Sequence, residues 1–112
     1  MVAVIDIGSN SGRVVVYRGG PSAHLRILAS TRAALRLVRE LDEDGELSAE
    51  AEGRLLVALR DFVAVARGAG AERTVAVATA AMRDARNGAR LIDRIRAEIG
   101  RASCRERVYG TV

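Results

Sequence analysis

The chain is 112 residues long, enough for one hydrophobic core and too short for two. Hydrophobic residues make up 49% of it but aromatic ones only 3%, so aliphatic side chains must dominate the packing. The 18 basic residues are all arginine and alternate with 14 acidic ones, and no aromatic side chains interleave to stack on bases, so the net charge of +4 argues poorly for a nucleic-acid groove.

No apolar run is long enough to span a bilayer, and no basic segment precedes an apolar stretch at the N-terminus. The expectation is a cytoplasmic protein with no membrane and no nucleic-acid partner. A single cysteine, Cys104, allows no internal disulfide and no metal cluster. His24 is also alone and reads as an ordinary surface or strand residue.

In chain order, Val2 to Asp6 predicts a short buried strand, β-branched and apolar on both faces. Arg13 to Arg18 predicts a second, with three valines before Tyr17, and Gly19-Gly20-Pro21-Ser22 a turn. His24 to Leu28 alternates polar and apolar, the start of a third strand reaching toward Leu37. Glu40 to Glu46 is an acidic loop whose spacing does not fit an EF-hand.

Ser48 is placed to cap a long helix in which Leu55, Leu59, Phe62 and Ala66 form one stripe, widened by Leu56 and Val63. Glu50 and Arg54 stand four apart on its other side, and Gly68-Ala69-Gly70 ends it. Arg73 to Ala78 predicts another buried strand, Thr79 to Arg86 a short helix, and Asn87 the cap of a final helix carrying Leu91, Ile92, Ile95 and Ile99. The order β-β-β-α-β-α predicts an α/β fold with a mixed sheet, helices packed on it, and no strand after the last helix.

The chemistry concentrates at Asp6 to Arg13, in the run VIDIGSNSGRVVVYR. Gly8 removes the Cβ that would block an oxyanion, Asn10 tolerates positive φ, and Gly8, Ser9, Asn10 and Ser11 together can aim backbone amides at one anion. The hydroxyls of Ser9 and Ser11 and the amide of Asn10 add side-chain donors. Arg13 is placed to turn back toward a phosphate or outward to solvent. Asp6 would repel a bare phosphate, but a carboxylate beside such a cradle fits Mg²⁺, which favours a carboxylate, waters and phosphate oxygens. An ordinary hairpin with an Asp-led turn satisfies the same spacing. There is no GxGxxG and no GxxxxGK[ST], so dinucleotide and P-loop readings have no support.

IDIGSNSGRVVVYR resembles the first phosphate motif of the exopolyphosphatase and guanosine pentaphosphate phosphatase (Ppx/GppA) family, within the ribonuclease H-like actin, Hsp70 and sugar-kinase superfamily. The resemblance continues through LDEDGELSAEA and the following helix, and is strong again at VAVATAAMRDARNG, which is similar to the family's strand and loop bearing a phosphate-facing arginine. It implies phosphate contacts from Gly8, Ser9, Asn10, Ser11 and Arg83, with Asp6 near Mg²⁺ and Arg13 a weaker transfer. Polyphosphate or guanosine pentaphosphate is the implied substrate, and a homodimer the implied parent. Where relatives carry a Gly-rich LGEG-like stretch, this chain reads Leu37-Val38-Arg39-Glu40-Leu41.

The family would continue into a strand and an SGEEEA-like motif holding the glutamate that activates water. This chain reads IGRASCRERVYGTV, and Ile99 to Val108 resembles one reading frame of a common sequencing adapter. Residues 1–98 are accordingly expected to be the N-terminal part of a phosphatase domain and 99–112 a non-native tail, with no catalytic residue of its own. The fragment would be inactive and prone to aggregate or dimerise along an uncovered sheet edge. Two rival readings of the same residues are the first lobe of a sugar- or acetate-kinase-like protein and a non-catalytic phosphate- or nucleotide-sensing domain.

Overall fold

The computed structural model describes residues 1–8, 10–19, 25–37, 45–78, 86–100 and 106–109. Ser9, the turn at 20–22, His24, most of the acidic loop, all but Arg86 of the short helix expected over Thr79 to Arg86, Arg83 included, and Cys104 lie outside the described residues.

Three strands open the chain: β1 (Val2–Ile7), β2 (Ser11–Gly19) and β3 (Leu25–Ala34). They form an antiparallel meander in which Ile5 faces Val14 and Val14 faces Thr31. A 20-residue helix, α1 (Ala49–Gly68), then carries the chain across the sheet to β4 (Arg73–Ala78), which lies parallel to β1. A second helix, α2 (Gly88–Gly100), leads to β5 (Glu106–Tyr109), parallel to β4. The order across the sheet is β3-β2-β1-β4-β5.

β5 is a correction. The sequence pattern ends the sheet at β4, whereas the chain adds a further parallel strand there. The segment holds Val108 and Tyr109, residue types that favour strands, and the open edge of β4 offers it a row of backbone partners.

α1 begins where the sequence places it. The Ser48 side chain accepts a hydrogen bond from the Ala51 amide at 3.1 Å, and Glu50 and Glu52 sit at the positive end of the helix dipole. It ends in a Schellman motif: Gly70, at φ 81°, donates to the Arg67 carbonyl and Ala71 to that of Ala66, both at 3.0 Å. Leu55, Leu59, Phe62 and Ala66 are buried in one cluster with Leu91, Ile95 and Ile99 of α2.

The sheet residues of that cluster are Ala3, Ile5, Ile7, Val14, Val16, Ala76 and Ala78, all on one face by register. Both crossovers, β3 to β4 and β4 to β5, run in the same direction across the sheet, so connections of one hand put both helices on one side. Val2, Val4, Val75 and Val77 occupy the other face and are only half-buried. The expectation of a strand buried on both sides therefore fails for β1: its apolar alternate positions have no helix above them among the described residues.

Candidate functional site

β1 reaches its end at Ile7, opposite Gly12 of β2 and Ala78 of β4. The turn back is tight. The Gly8 amide donates to the Ser11 carbonyl at 2.9 Å, closing the β1–β2 hairpin. A Cβ on Gly8 would lie 2.9 Å from that same carbonyl oxygen, so glycine is demanded by a backbone contact. This changes the role expected of Gly8. Its amide is committed within the turn, so any cradle for an anion is made from the residues beyond it.

Asn10 is exposed at the tip, and its carbonyl accepts two hydrogen bonds, from the amides of Leu35 at 2.8 Å and Arg36 at 2.9 Å. Leu35 and Leu37 are buried on either side of exposed Arg36, which adopts φ 53°. The chain after β3 thus clamps the turn from the side. Ser11 is half-buried and paired with Ala34, while Ser9 falls outside the described residues.

Two residues back from the turn, Asp6 of β1 stands opposite Arg13 of β2. Both are exposed, on the face away from the helices. Arg13 in turn stands opposite exposed Arg32 of β3, giving a row of charge across three strands. No group of three or more His, Cys, Asp or Glu side chains that could enclose a metal occurs among the described residues. Asp6 makes no ion pair with a described residue.

β4 ends at Ala78, beside Ile7, and Arg83 lies outside the described residues. The Arg86 amide donates to the Gly45 carbonyl at 2.9 Å. Asn87 follows. Its carbonyl accepts from the Leu91 amide at 3.1 Å, starting α2, but its side chain turns away from the helix. Oδ1 accepts from the Leu47 amide at 3.0 Å and Nδ2 donates to the Leu47 carbonyl at 3.2 Å.

Three further contacts hold this end of the molecule and were not legible in sequence. Gly12 lies under the helix: a Cβ there would come within 3.0 Å of both Leu35 Cδ1 and Phe62 Cε2. A glycine inside a strand is a signal of such an approach. Glu52 of α1, only 7% exposed, accepts from Arg90 at 3.3 Å and from Arg94, joining the two helices. Arg54, spaced to pair with Glu50, donates from Nε to the Leu35 carbonyl at 3.3 Å. An open, mostly apolar groove of about 440 Å³ between β3 and α1, lined by Ala33, Val57 and Asp61 among others, lies on the helix side and apart from Asp6 and Arg13.

A sequence model described as the Ppx/GppA phosphatase family matches residues 15–104. Exopolyphosphatase 1 of Mycobacterium leprae is 34% identical over 102 residues, covering 88% of this chain and 29% of that protein. The Mycobacterium tuberculosis protein of the same name is 31% identical over 99 residues, with the same coverage. The Aquifex aeolicus Ppx/GppA structure superimposes with a TM-score of 0.81 at 28% identity, over 97% of this chain and 34% of that one. An exopolyphosphatase structure from Cytophaga hutchinsonii gives 0.81 at 25% identity, again over 97% and 34%. Thermus thermophilus RuvC shares the fold, with a TM-score of 0.62 at 16% identity. The chain therefore spans about a third of the length of the relatives it matches.

Proposed function

Because the chain belongs to the Ppx/GppA phosphatase family, we propose that its β1–β2 hairpin receives the terminal phosphate of a condensed-phosphate substrate in a phosphoanhydride hydrolase. Relatives named exopolyphosphatase favour inorganic polyphosphate over guanosine pentaphosphate as that substrate, and the family match favours a phosphatase over a kinase lobe. The observation that carries the reading is the Asp6–Arg13 register beside a turn that admits no Cβ at Gly8.

In this reading, Asn10 and Ser11, with Ser9 beyond the described residues, donate hydrogen bonds to the terminal phosphate. Arg13 offers a forked guanidinium to its oxygens, and Arg83, also outside the described residues, is assigned a second guanidinium contact by the family resemblance. Asp6 would hold Mg²⁺, which when bound would neutralise charge developing on the phosphate oxygens. The clamp on the Asn10 carbonyl keeps the turn in one orientation, so its donors are positioned before the anion arrives. No residue of these 112 is assigned the activation of water, and the chain by itself is proposed to bind without turnover.

The test is calorimetric titration of the chain with phosphate, with and without Mg²⁺, beside the Asp6→Asn variant. Mg²⁺ should tighten phosphate binding to the parent and have no effect on the variant, whose thermal transition should stay in place because Asp6 is exposed. Equal enhancement by Mg²⁺ in both would remove Asp6 from the metal site. Phosphate binding to neither, with or without Mg²⁺, would remove the hairpin from the function.

A further inference from the structure

Arg13 and Arg32 are direct cross-strand partners on β2 and β3, both exposed. Side chains so paired stand on the same face of a sheet, and like charges there repel. Neither arginine makes an ion pair with a described residue, although Arg60, Arg90, Arg94 and Arg96 each pair with a carboxylate. Asp6 continues the row on β1, beyond Arg13, so the charge sequence across the strands is negative, positive, positive. The row lies two residues in from the turn, and each step along it is one strand spacing, about 4.8 Å.

An anion bridging the two guanidiniums would turn this repulsion into a pair of charge-assisted hydrogen bonds. A single phosphate seated at the turn lies at one end of the row and leaves Arg32 unused. A chain of phosphates does not. We propose that Arg13, besides its contact with the terminal phosphate, joins Arg32 in a clamp for the second phosphate group of a linear condensed phosphate, whether inorganic or carried by a nucleoside. The clamp rests on the reading of the hairpin as a phosphate site and extends it from one phosphate to a chain. Arg32 is then the residue that separates condensed phosphate from orthophosphate.

β2 and β3 supply their own control. Arg18 and Arg26 are also cross-strand partners and exposed, but they lie at the far end of the same strands, away from the turn and from Asp6. Removing Arg26 subtracts the same charge as removing Arg32.

The chain and its Arg32→Ala and Arg26→Ala variants are titrated at fixed ionic strength with orthophosphate, inorganic tripolyphosphate and guanosine triphosphate. Arg32→Ala should weaken tripolyphosphate binding about tenfold, the loss expected for a hydrogen bond to a charged group, and change orthophosphate binding less than twofold. A matching loss with the nucleotide assigns the clamp to any phosphate chain, and a loss with only one of the two chains assigns it to that source. Arg26→Ala should leave all three affinities within twofold. Equal losses in the two variants would reduce the effect to net charge and overturn the clamp, as would unchanged chain binding in Arg32→Ala. If the parent binds orthophosphate but no chain more tightly, the clamp falls and the hairpin site stands. If it binds none of the three, both fall.

Discussion

Asn87 grips the backbone of Leu47 from both sides, its Oδ1 accepting from the amide at 3.0 Å and its Nδ2 donating to the carbonyl at 3.2 Å. One side chain thus serves the approach to α1 as a strand neighbour would, while its own main chain starts α2. Replacing it with alanine deletes two hydrogen bonds in a partly buried setting. Asn87→Ala should cost about 1–3 kcal/mol, read as a lower midpoint in urea with an unchanged slope. An unchanged midpoint would mean that water replaces both bonds.

Glu52 joins α1 to α2 through Arg90 and Arg94. The two arginines are half-exposed, so neutralising the glutamate leaves them solvated rather than stranded. Glu52→Gln should therefore lower stability by only about 1–2 kcal/mol, and the difference from the parent should shrink in high salt. Equal stability of the two proteins at low salt would show that the clasp orients the helices without stabilising them.

Gly12 is where the aromatic ring of α1 meets the hairpin. Gly12→Ala puts a methyl group 3.0 Å from Phe62 Cε2 and Leu35 Cδ1, and overpacking of this kind costs about 1–3 kcal/mol. Phe62→Leu should itself destabilise, yet the double variant should be more stable than the sum of the two changes, because the smaller side chain admits the methyl group. Strict additivity in thermal or urea unfolding would contradict the contact.

Arg36 holds a left-handed backbone conformation that a Cβ disfavours by about 1 kcal/mol. Arg36→Gly should relieve it, and the added freedom of glycine in the unfolded chain takes back part of the gain. The melting temperature of Arg36→Gly should equal or exceed that of Arg36→Ala, which keeps the strain. The reverse ranking would show that residue 36 is not left-handed in solution.

Much of the architecture is legible in the residues taken in order. Ser48 as a cap, the stripe from Leu55 to Ala66, Gly70 as the helix stop and the apolar face of α2 each rest on local rules, and each holds in the structure. β3 ends three residues earlier than its pattern suggests, because Leu35 and Leu37 are drawn inward around the clamp on Asn10. The misplaced roles, those of the Gly8 amide, the Asn87 side chain and Arg54, share one cause. A polar group has several partners within reach of its own segment, and only the packed chain removes all but one.

By itself the sequence determined the alternation of strands and helices, the tight glycine turn after β1 and the placing of an acid and an arginine on either side of it, since these depend on periodicity and on residues a few positions apart. Tertiary structure decided which face of the sheet the helices cover, that Gly8 spends its amide on Ser11, that Arg13 stands between Asp6 and Arg32, and that β4 gains a parallel neighbour. Those outcomes join residues far apart in the chain, and the free energy that selects them comes from burial and pairing that exist only once the strands are side by side.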